Sequence, residues 1–261
     1  MTLPNLTPLD LGLASLFALL AGALSLAAGL KLERTFGIAM LRMVVQLGLV
    51  GIVLKFVFEQ TSWLWTAGVA LIMVLIAGWE ATNRVGLAGK RAPAFALAAG
   101  TLTLVGAAST VLTTAAIIGP QPWYTPTVLL PILGMILGNA LSALSLALLT
   151  LTETATRDRR AIEARLALGA TRFEALGSPV RSAIRTGLTP VINMMAVAGV
   201  VSLLGMMTGQ ILAGADPIEA AKYQIMILLV LAGTAALSVL GGAVGGVLLL
   251  TDARDRLRLP A

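Results

Sequence analysis

The side chains best suited to recognising a partner are concentrated in one charged segment, Glu153 to Arg185, whose centre reads EARLALGATRFEAL. Its arginines and carboxylates can form ion pairs and directed hydrogen bonds. Bond-making chemistry is a poor match, because the chain contains no cysteine and no histidine. Their absence removes His-ligated zinc sites and the Ser-His-Asp and Cys-His nucleophilic arrangements. We therefore expect this protein to bind a partner through the segment and not to be an enzyme.

The elements around this segment are suited to lipid. The chain is 58% hydrophobic and 11% charged, whereas soluble domains carry about 25% charged residues. Apolar runs long enough for a membrane-spanning helix, about 20 residues, recur along it. The sequence predicts an all-α integral membrane protein that forms a single transmembrane domain over residues 1–261. We count seven spanning helices, at about 9–29, 38–58, 63–82, 94–118, 126–150, 188–213 and 223–250.

The distribution of basic residues predicts the orientation of these helices. If the charged loop at 153–187 lies in the cytoplasm, 16 of the 18 lysines and arginines fall on the cytoplasmic side, and Lys55 and Lys222 fall outside. The bias of basic residues toward cytoplasmic loops then places the N-terminus outside and the C-terminus inside a plasma (inner) membrane. The net charge of +6 therefore follows the topology and does not indicate a nucleic-acid partner.

The charged loop carries local signals for a helical hairpin between the fifth and sixth spans. The fifth helix is expected to continue to Leu168, supported by i,i+4 pairs between Glu153 and Arg157 and between Arg159 and Glu163. Such pairs stabilise a helix that is exposed to water.

The second half of the hairpin has its own start and stop signals. Gly169 suits the position just after a helix C-terminus. Thr171, with Glu174 three residues later, predicts a capping box that opens a second helix. Pro179 is expected to end or turn that helix, and re-entry into the membrane is expected near Gly187.

Apolar residues are interspersed with the charges of the hairpin. They form either a docking surface rimmed by arginine or a face that packs beneath the spanning helices, and the sequence leaves both interpretations open. They are Ala164, Leu166, Ala167, Leu168, Ala170, Phe173, Ala175 and Leu176.

The segment Glu163-Ala164-Arg165-x-x-x-Gly169 resembles the E-A-A-x-x-x-G loop of ABC transporter permeases, with Arg165 in place of the second alanine. In that class the loop forms the coupling helix that docks into the ATP-binding subunit. The resemblance implies that this chain contacts an ATPase partner through its hairpin. The implied coupling residues are Arg159, Glu163, Ala164, Arg165, Gly169, Ala170, Thr171, Phe173 and Glu174.

Three other stretches resemble the FetB-like family of iron-export ABC permeases, which includes plant aluminium-tolerance half-transporters. They are Arg42-x-x-x-Gln46-Leu47, Pro131-x-x-Gly134-Met135-x-x-Gly138-Asn139, and the string GMMTGQIL from Gly205 to Leu212. The resemblance implies a permease that exports iron or another metal, in an assembly of two permeases and two ATPases. ATP and magnesium would be bound by the ATPase, because the nearest approach to a phosphate-binding loop here, at 89–91, lacks the required Ser or Thr.

Polar residues inside the apolar runs are the candidates for a translocation path, because polar groups in a membrane are costly and mark functional sites by default. Methionines on the sixth run offer soft thioether ligands that suit Cu(I) better than iron, although we favour a role in filling gaps between helices. The candidates are Arg42, Gln46, Asn139, Asn193, Met206, Met207, Thr208 and Gln210, with a threonine stripe at Thr103, Thr110 and Thr114.

Small residues at four-residue spacing predict close helix contacts within a bundle or across a dimer. Such pairs occur at Gly134 with Gly138, at Gly241 with Gly245 and at Gly242 with Gly246; the sixth run adds Gly199, Ser202, Gly205 and Gly209.

Two functions compete with the ABC permease. One is an ATP-independent channel or secondary transporter, which would require a charged path or broken helices. The other is a membrane scaffold that docks a cytoplasmic protein through the hairpin.

Overall fold

Helices make up nearly all of the structure, a computed structural model. An isolated antiparallel bridge pairs Thr251 with Leu257. The structure describes residues 7–59, 62–85, 91–119, 122–201, 205–252 and 254–259. Residues 86–90 and 202–204 thus lie outside the described part, and with them most of the phosphate-loop-like stretch at 89–91 and the predicted small residue Ser202.

The chain divides into two compact units, Met1–Thr61 with Leu212–Gly214, and Ser62–Ile211 with Ala215–Ala261. The first contains α1 (Pro8–Ala27) and α2 (Glu33–Phe58). The helices of the second are α3 (Trp63–Val85), α4 (Arg91–Val111) with a π-helical continuation at Leu112–Ile118, α5 (Pro126–Arg157), α6 (Arg159–Ala167), α7 (Arg172–Ala175), α8 (Gly177–Val197), α9 (Gly205–Leu212, whose last residue falls in the first unit) and α10 (Pro217–Leu250).

Six of these helices are long and apolar enough to cross a membrane. The all-α membrane class predicted from composition is therefore confirmed. The sixth predicted run, 188–213, does not form one helix in the described residues: α8 ends at Val197, Ala198 is extended, and Gly199 adopts a left-handed backbone with φ +82°. A total of seven spans and the orientation of the chain stay predictions. The six candidate spans are Leu9–Ala27, Glu33–Phe58, Trp63–Arg84, Ala92–Ile118, Pro126–Arg157 and Pro217–Leu250.

Helix α5 is the centre of the second unit and packs against α3, α4, α8 and α10. Its buried face alternates leucine with alanine, and the alanines let neighbouring backbones approach. Between lipid-exposed helices this close packing, and not the hydrophobic effect alone, provides the attraction. The buried residues of this face include Leu137, Ala140, Ala143, Leu144, Ala147, Leu148, Leu151 and Ala155.

The glycine pairs of α10 are used as predicted. A Cβ on Gly242 would lie 2.1 Å from Leu144 Cδ1, one on Gly246 would lie 2.6 Å from Leu151 Cδ2, and one on Gly245 would lie 2.1 Å from Leu97 Cδ1. These glycines therefore allow α10 to approach α5 and α4 closely.

The glycine pair of α5 behaves differently. A Cβ on Gly138 would meet nothing within 4 Å, and one on Gly134 would touch Met73 Cε at 3.4 Å. The close contact predicted within the bundle is therefore not made at this pair, and its use across a dimer stays a prediction.

Candidate functional site: the charged hairpin and the polar residues of the spans

The first arm of the hairpin continues from α5 with one interruption. Helix α5 ends at Arg157, Asp158 forms a turn, and α6 begins at Arg159. The prediction of one unbroken helix to Leu168 is wrong at this point. The predicted pair of Glu153 with Arg157 is also replaced, because Arg157 pairs with Asp158 at 3.1 Å. The N–H of Asp158 donates to Thr154 O and the N–H of Ile162 donates to Asp158 O, so i to i−4 hydrogen bonds flank the turn.

The second ion pair predicted for this arm is present. Arg159 Nε lies 2.8 Å from Glu163 Oε1 at i,i+4 spacing. Both side chains are exposed, so the pair is worth about 0.3–0.5 kcal/mol at most. Its value lies in ordering two of the hairpin's charged groups.

Gly169 reverses the chain at the end of α6. Its φ of +90° is accessible to glycine and strained for other residues. The N–H of Ala170 donates to Arg165 O at 3.1 Å and the N–H of Gly169 donates to Leu166 O at 3.0 Å, which is the Schellman pattern. The position predicted for Gly169 is confirmed.

The capping box at the start of α7 is also confirmed. The N–H and hydroxyl of Thr171 both donate to Glu174 Oε2 at 2.8 Å, and the N–H of Glu174 donates to Thr171 Oγ1 at 3.4 Å. The backbone N–H of Thr171, followed by its hydroxyl, lowers the pKa of the Glu174 carboxyl below its usual 4.5. The box therefore holds α7 in place with Glu174 ionised at neutral pH.

The helix that leaves the hairpin begins soon after α7. Helix α7 ends at Ala175 and α8 begins at Gly177, so Gly187 lies within α8. Re-entry into the membrane near Gly187 stays a prediction. Pro179 occupies the first turn of α8, where its missing N–H costs no helical hydrogen bond.

The apolar residues of the hairpin divide into an anchor and an exposed tip. Ile162, Ala175 and Leu176 are buried in the main core of the second unit. Leu168 is 88% exposed and Phe173 is 49% exposed. The two interpretations left open by the sequence thus apply to different residues. We call Leu168 and Phe173, with exposed Arg165 beside them in the sequence, the hairpin tip.

A turn at the C-terminus, which the sequence interpretation treated simply as a basic tail, forms around Asp252. Its carboxylate accepts hydrogen bonds from the N–H groups of Arg254 and Arg256, each at 2.9 Å, and from Arg256 Nε at 2.9 Å. Arg258 Nε lies 3.4 Å away, and the N–H of Arg258 donates to Leu250 O at 2.7 Å. The spacing of Asp252 and Arg256 is the sequence signal that could have indicated this turn.

The Asp252 carboxyl makes the C-terminal turn sensitive to acid. The N–H of Arg256 is the largest cause that lowers its pKa to about 2 from the usual 3.8. Because the pKa is lower in the folded turn, the ionised carboxylate stabilises it above pH 3.8, and that stabilisation is lost as the pH falls from 3.8 to about 2. A nitroxide at Arg254→Cys should be immobilised at neutral pH and mobile at pH about 2.

The control for this measurement is the same label in an Asp252→Asn background. That variant should give a mobile spectrum already at neutral pH and little change with acid. If the spectrum of the label at Arg254→Cys, with Asp252 unchanged, did not depend on pH over this range, the stabilising role of the Asp252 carboxylate would be contradicted.

The candidate residues of the translocation path are divided between the two units. Arg42 and Gln46 belong to α2 in the first unit, and both are exposed there. In the second unit, Asn139 donates from Nδ2 to Met135 O at 2.9 Å, and Asn193 is exposed on α8. Thr208 is half-buried on α9.

Two glutamines carry buried amide oxygens with no hydrogen-bond partner among the described residues: Gln210 Oε1 on α9 and Gln224 Oε1 on α10. A buried acceptor left unpaired costs free energy, so each is a place where a bound group could contribute. Gln210 was among the predicted candidates and Gln224 was missed, because it lies near the start of an apolar run.

The methionines of the sixth run meet a small apolar cluster. Met194 and Met206 pack, together with Met135 of α5, against buried residues of α5 and α10. Met207 is half-buried. The packing favours the gap-filling role. The buried residues of the cluster are Ile132, Ile136, Ile227 and Leu231.

The resemblance to iron-export permeases implies that the chain transports a metal. Replacing Met206 and Met207 together with leucine should leave that implied transport within about twofold of wild type, since Leu and Met are close in volume. Uptake of iron into inverted vesicles measures this. A loss of transport with normal expression would instead indicate that the thioether sulfurs take part.

The threonine stripe meets aromatic residues near the N-termini of α3 and α5 and the C-terminus of α4. Thr103 and Thr110 line a largely apolar cavity of about 460 Å³ together with Trp63, Trp123 and Tyr124. The hydroxyl of Thr114 is directed elsewhere and donates to Thr110 O at 2.9 Å. Trp123 and Tyr124 pack edge to face with centroids 5.9 Å apart, a pairing that suits a membrane interface.

No group of three or more histidine, cysteine, aspartate or glutamate side chains able to hold a metal ion occurs within the described ranges. The polar groups of the spans are amides and hydroxyls, whose oxygens are weak ligands compared with carboxylates.

Six long apolar helices and a capped, charged hairpin directly after the most buried of them define a multi-pass helical membrane protein. The chain belongs to the family described as "Uncharacterised protein family (UPF0014)", whose model matches residues 8–247. The resemblance to the FetB-like family read from three short stretches is confirmed.

Three relatives illustrate this membership. The chain is 40% identical over 200 residues (76% of this chain, 75% of the relative) to "UPF0014 membrane protein slr1647" of Synechocystis sp.. It is 36% identical over 238 residues (90% and 88%) to the "Probable iron export permease protein FetB" of Escherichia coli. It is 33% identical over 225 residues (86% and 80%) to "Protein ALUMINUM SENSITIVE 3" of Arabidopsis thaliana. No solved structure matches the chain.

Proposed function

We propose that this protein is the membrane-spanning permease subunit of an ATP-driven ABC transporter that exports iron or another metal ion or complex. In this proposal the chain crosses the plasma membrane seven times, with its N-terminus outside and its hairpin and C-terminus in the cytoplasm. ATP and magnesium are bound by a separate ATPase, and two permeases assemble with two ATPases.

The observation that carries the proposal is the construction of the hairpin. The Schellman turn at Gly169 and the capping box of Thr171 and Glu174 fix the backbone, while Ile162 and Leu176 anchor it to the core. The result is a rigid element that presents Leu168 to water, and a large apolar side chain so exposed on an ordered turn suits a docking surface.

The charges around the hairpin tip suggest what its partner offers. Arg160 and Arg165 are exposed, and Arg159 is held by Glu163. The complementary surface is a groove with an apolar floor and acidic rims, because such a groove would cover Leu168 and attract the arginines. A groove of this kind on an ATPase would receive α6 and α7, and closure of two ATPases would move both hairpins together.

The substrate proposal rests on the relative named as a probable iron export permease, which shares 36% identity with this chain over 90% of its length. The amide oxygens of Gln210 and Gln224 are consistent with transient contacts to a hydrated or complexed metal, because oxygen ligands suit hard cations. Weak ligands also favour release, which a transporter needs.

The test has two stages. First, the tagged chain is purified from the cells that produce it, and a nucleotide hydrolase should co-purify at about one per chain. Second, inverted vesicles with both proteins should accumulate iron when ATP is added and should stop when vanadate is present. Failure to recover any nucleotide hydrolase, or iron transport that does not depend on ATP, would overturn the proposal.

A second candidate function is ATP-independent transport, and one observation favours it. The interruption after α8, at Ala198 and the left-handed Gly199, is the kind of broken helix found at the ion sites of secondary transporters. Iron flux through purified chain alone, driven by an ion gradient and insensitive to vanadate, would select this candidate over the first.

A further inference from the structure

The C-terminal turn, residues 251–252 and 254–259, lies against the hairpin. Arg172, the first residue of α7, places its Nε 2.6 Å from Asp255 Oδ1. The N–H does not point along a hydrogen-bond line, so the attraction is that of two opposite charges in contact. This ion pair connects the end of α10 to the element that follows the Gly169 turn.

The turn itself is anchored. Its backbone is closed by the bridge between Thr251 and Leu257 and by the hydrogen bonds to Asp252. The side chains of Leu257 and Leu259 pack against the main core of the second unit. Asp255 therefore extends from a fixed platform and not from a loose tail.

The backbone of Asp255 adds a second indication. Its φ of +54° places a residue other than glycine in the left-handed region, which costs free energy and persists where the surroundings hold it. Aspartate tolerates this conformation better than most residues. In the left-handed conformation the Asp255 carboxylate meets Arg172.

We propose that the C-terminal turn is a brace for the hairpin, and that Asp255 is a positioning residue that holds α7 through Arg172 so that the hairpin and the end of α10 move as one body. The role of the brace rests on the proposed function. If the hairpin is displaced during transport, the brace would transmit that displacement to α10 as well as to α5 and α8. The geometry of the brace can be tested without that function.

The first experiment measures the brace in the chain alone. Because the chain has no cysteine, Leu168→Cys and Arg254→Cys give two unique sites for nitroxide labels in lipid nanodiscs. Pulsed electron–electron double resonance should give one narrow distribution of distances between the two labels. Asp255→Asn, which keeps the left-handed backbone and removes the charge, should raise the population of displaced distances about two- to fivefold, the range expected for losing a partly exposed ion pair.

The matched control is Glu219→Gln. It removes an exposed ion pair with Lys222 (2.7 Å) at the other end of α10, far in sequence from the turn, and should leave the distribution unchanged. An unchanged distribution in Asp255→Asn, or an equal broadening in the control, would overturn the brace.

The second experiment measures coupling in the full complex as substrate transported per ATP hydrolysed. Asp255→Asn and Arg172→Gln should each lower this ratio about two- to fivefold, with assembly intact, and Arg172→Lys should retain it. The double variant should be no worse than either single change, because both remove the same pair. Additive losses would overturn the brace, whereas absence of an ATPase would overturn the proposed function and leave the distance measurement standing.

Discussion

A Gly169→Pro variant is expected to bind the proposed ATPase subunit more weakly while its spanning helices stay folded. Proline holds φ near −65°, whereas Gly169 has φ +90° and donates its N–H to Leu166 O at 3.0 Å. Backbone strain of roughly 1–3 kcal/mol at the one residue that reverses the chain should weaken assembly about tenfold to a hundredfold. Titration of the ATPase onto nanodisc-embedded permease measures the change in Kd.

Gly169→Asn is the matched control, because asparagine adopts the left-handed region more readily than other residues with a side chain. A Cβ at this position meets nothing within 4 Å, so the added side chain has room. The asparagine variant should bind the ATPase within a few-fold of wild type. If proline and wild type assembled equally well, the hairpin would not be the coupling element.

The second large effect is expected inside the bundle, where Gly187→Val should lower the stability of the membrane domain by about 1–3 kcal/mol. A Cβ at Gly187 would lie 2.9 Å from Ala147 Cβ, 2.9 Å from Val239 Cγ2 and 3.0 Å from Ala143 O. The atoms of Ala147 and Ala143 are fixed to the backbone of α5 and cannot rotate away, so α8 and α5 must separate. The temperature at which half of the detergent-solubilised protein stays monodisperse measures the loss.

Gly233→Val provides the comparison for this change. It places the same side chain within a spanning helix at a position where a Cβ meets nothing within 4 Å. Its melting behaviour should match wild type apart from the small helix-propensity difference. Equal destabilisation by both variants would mean that valine itself, and not the closeness of α5 and α10 around Gly187, is responsible.

The hairpin was largely predictable because its signals act over three to five residues. The Gly169 reversal, the Thr171 and Glu174 box and the pair of Arg159 with Glu163 depend on backbone geometry and neighbouring side chains. The partner of Arg157 was predicted wrongly for a related reason. Asp158, one residue away, competes for Arg157 with Glu153 four residues away, and spacing rules do not determine which carboxylate forms the pair.

Partners far apart in the chain were beyond the reach of spacing rules. The sequence indicated that the glycines of α5 and α10 could both support close contacts, yet those of α10 meet Leu97 and Leu144, whereas Gly138 meets nothing within 4 Å. The approach of Asp255 to Arg172 joins residues 83 positions apart. Neither the contacts of the α10 glycines nor the pair of Arg172 with Asp255 produces a periodic pattern in the sequence.

The sequence by itself determined that this is a helical membrane protein with a basic, capped hairpin, because hydrophobicity, charge bias and helix capping are properties of consecutive residues. It also determined the family, through three short stretches and a match that extends over residues 8–247. The tertiary structure decided which apolar residues of the hairpin are anchored and which are exposed, and where the C-terminal turn lies. Those outcomes depend on which helix faces meet in space, and a face acquires its neighbours only when the whole bundle has packed.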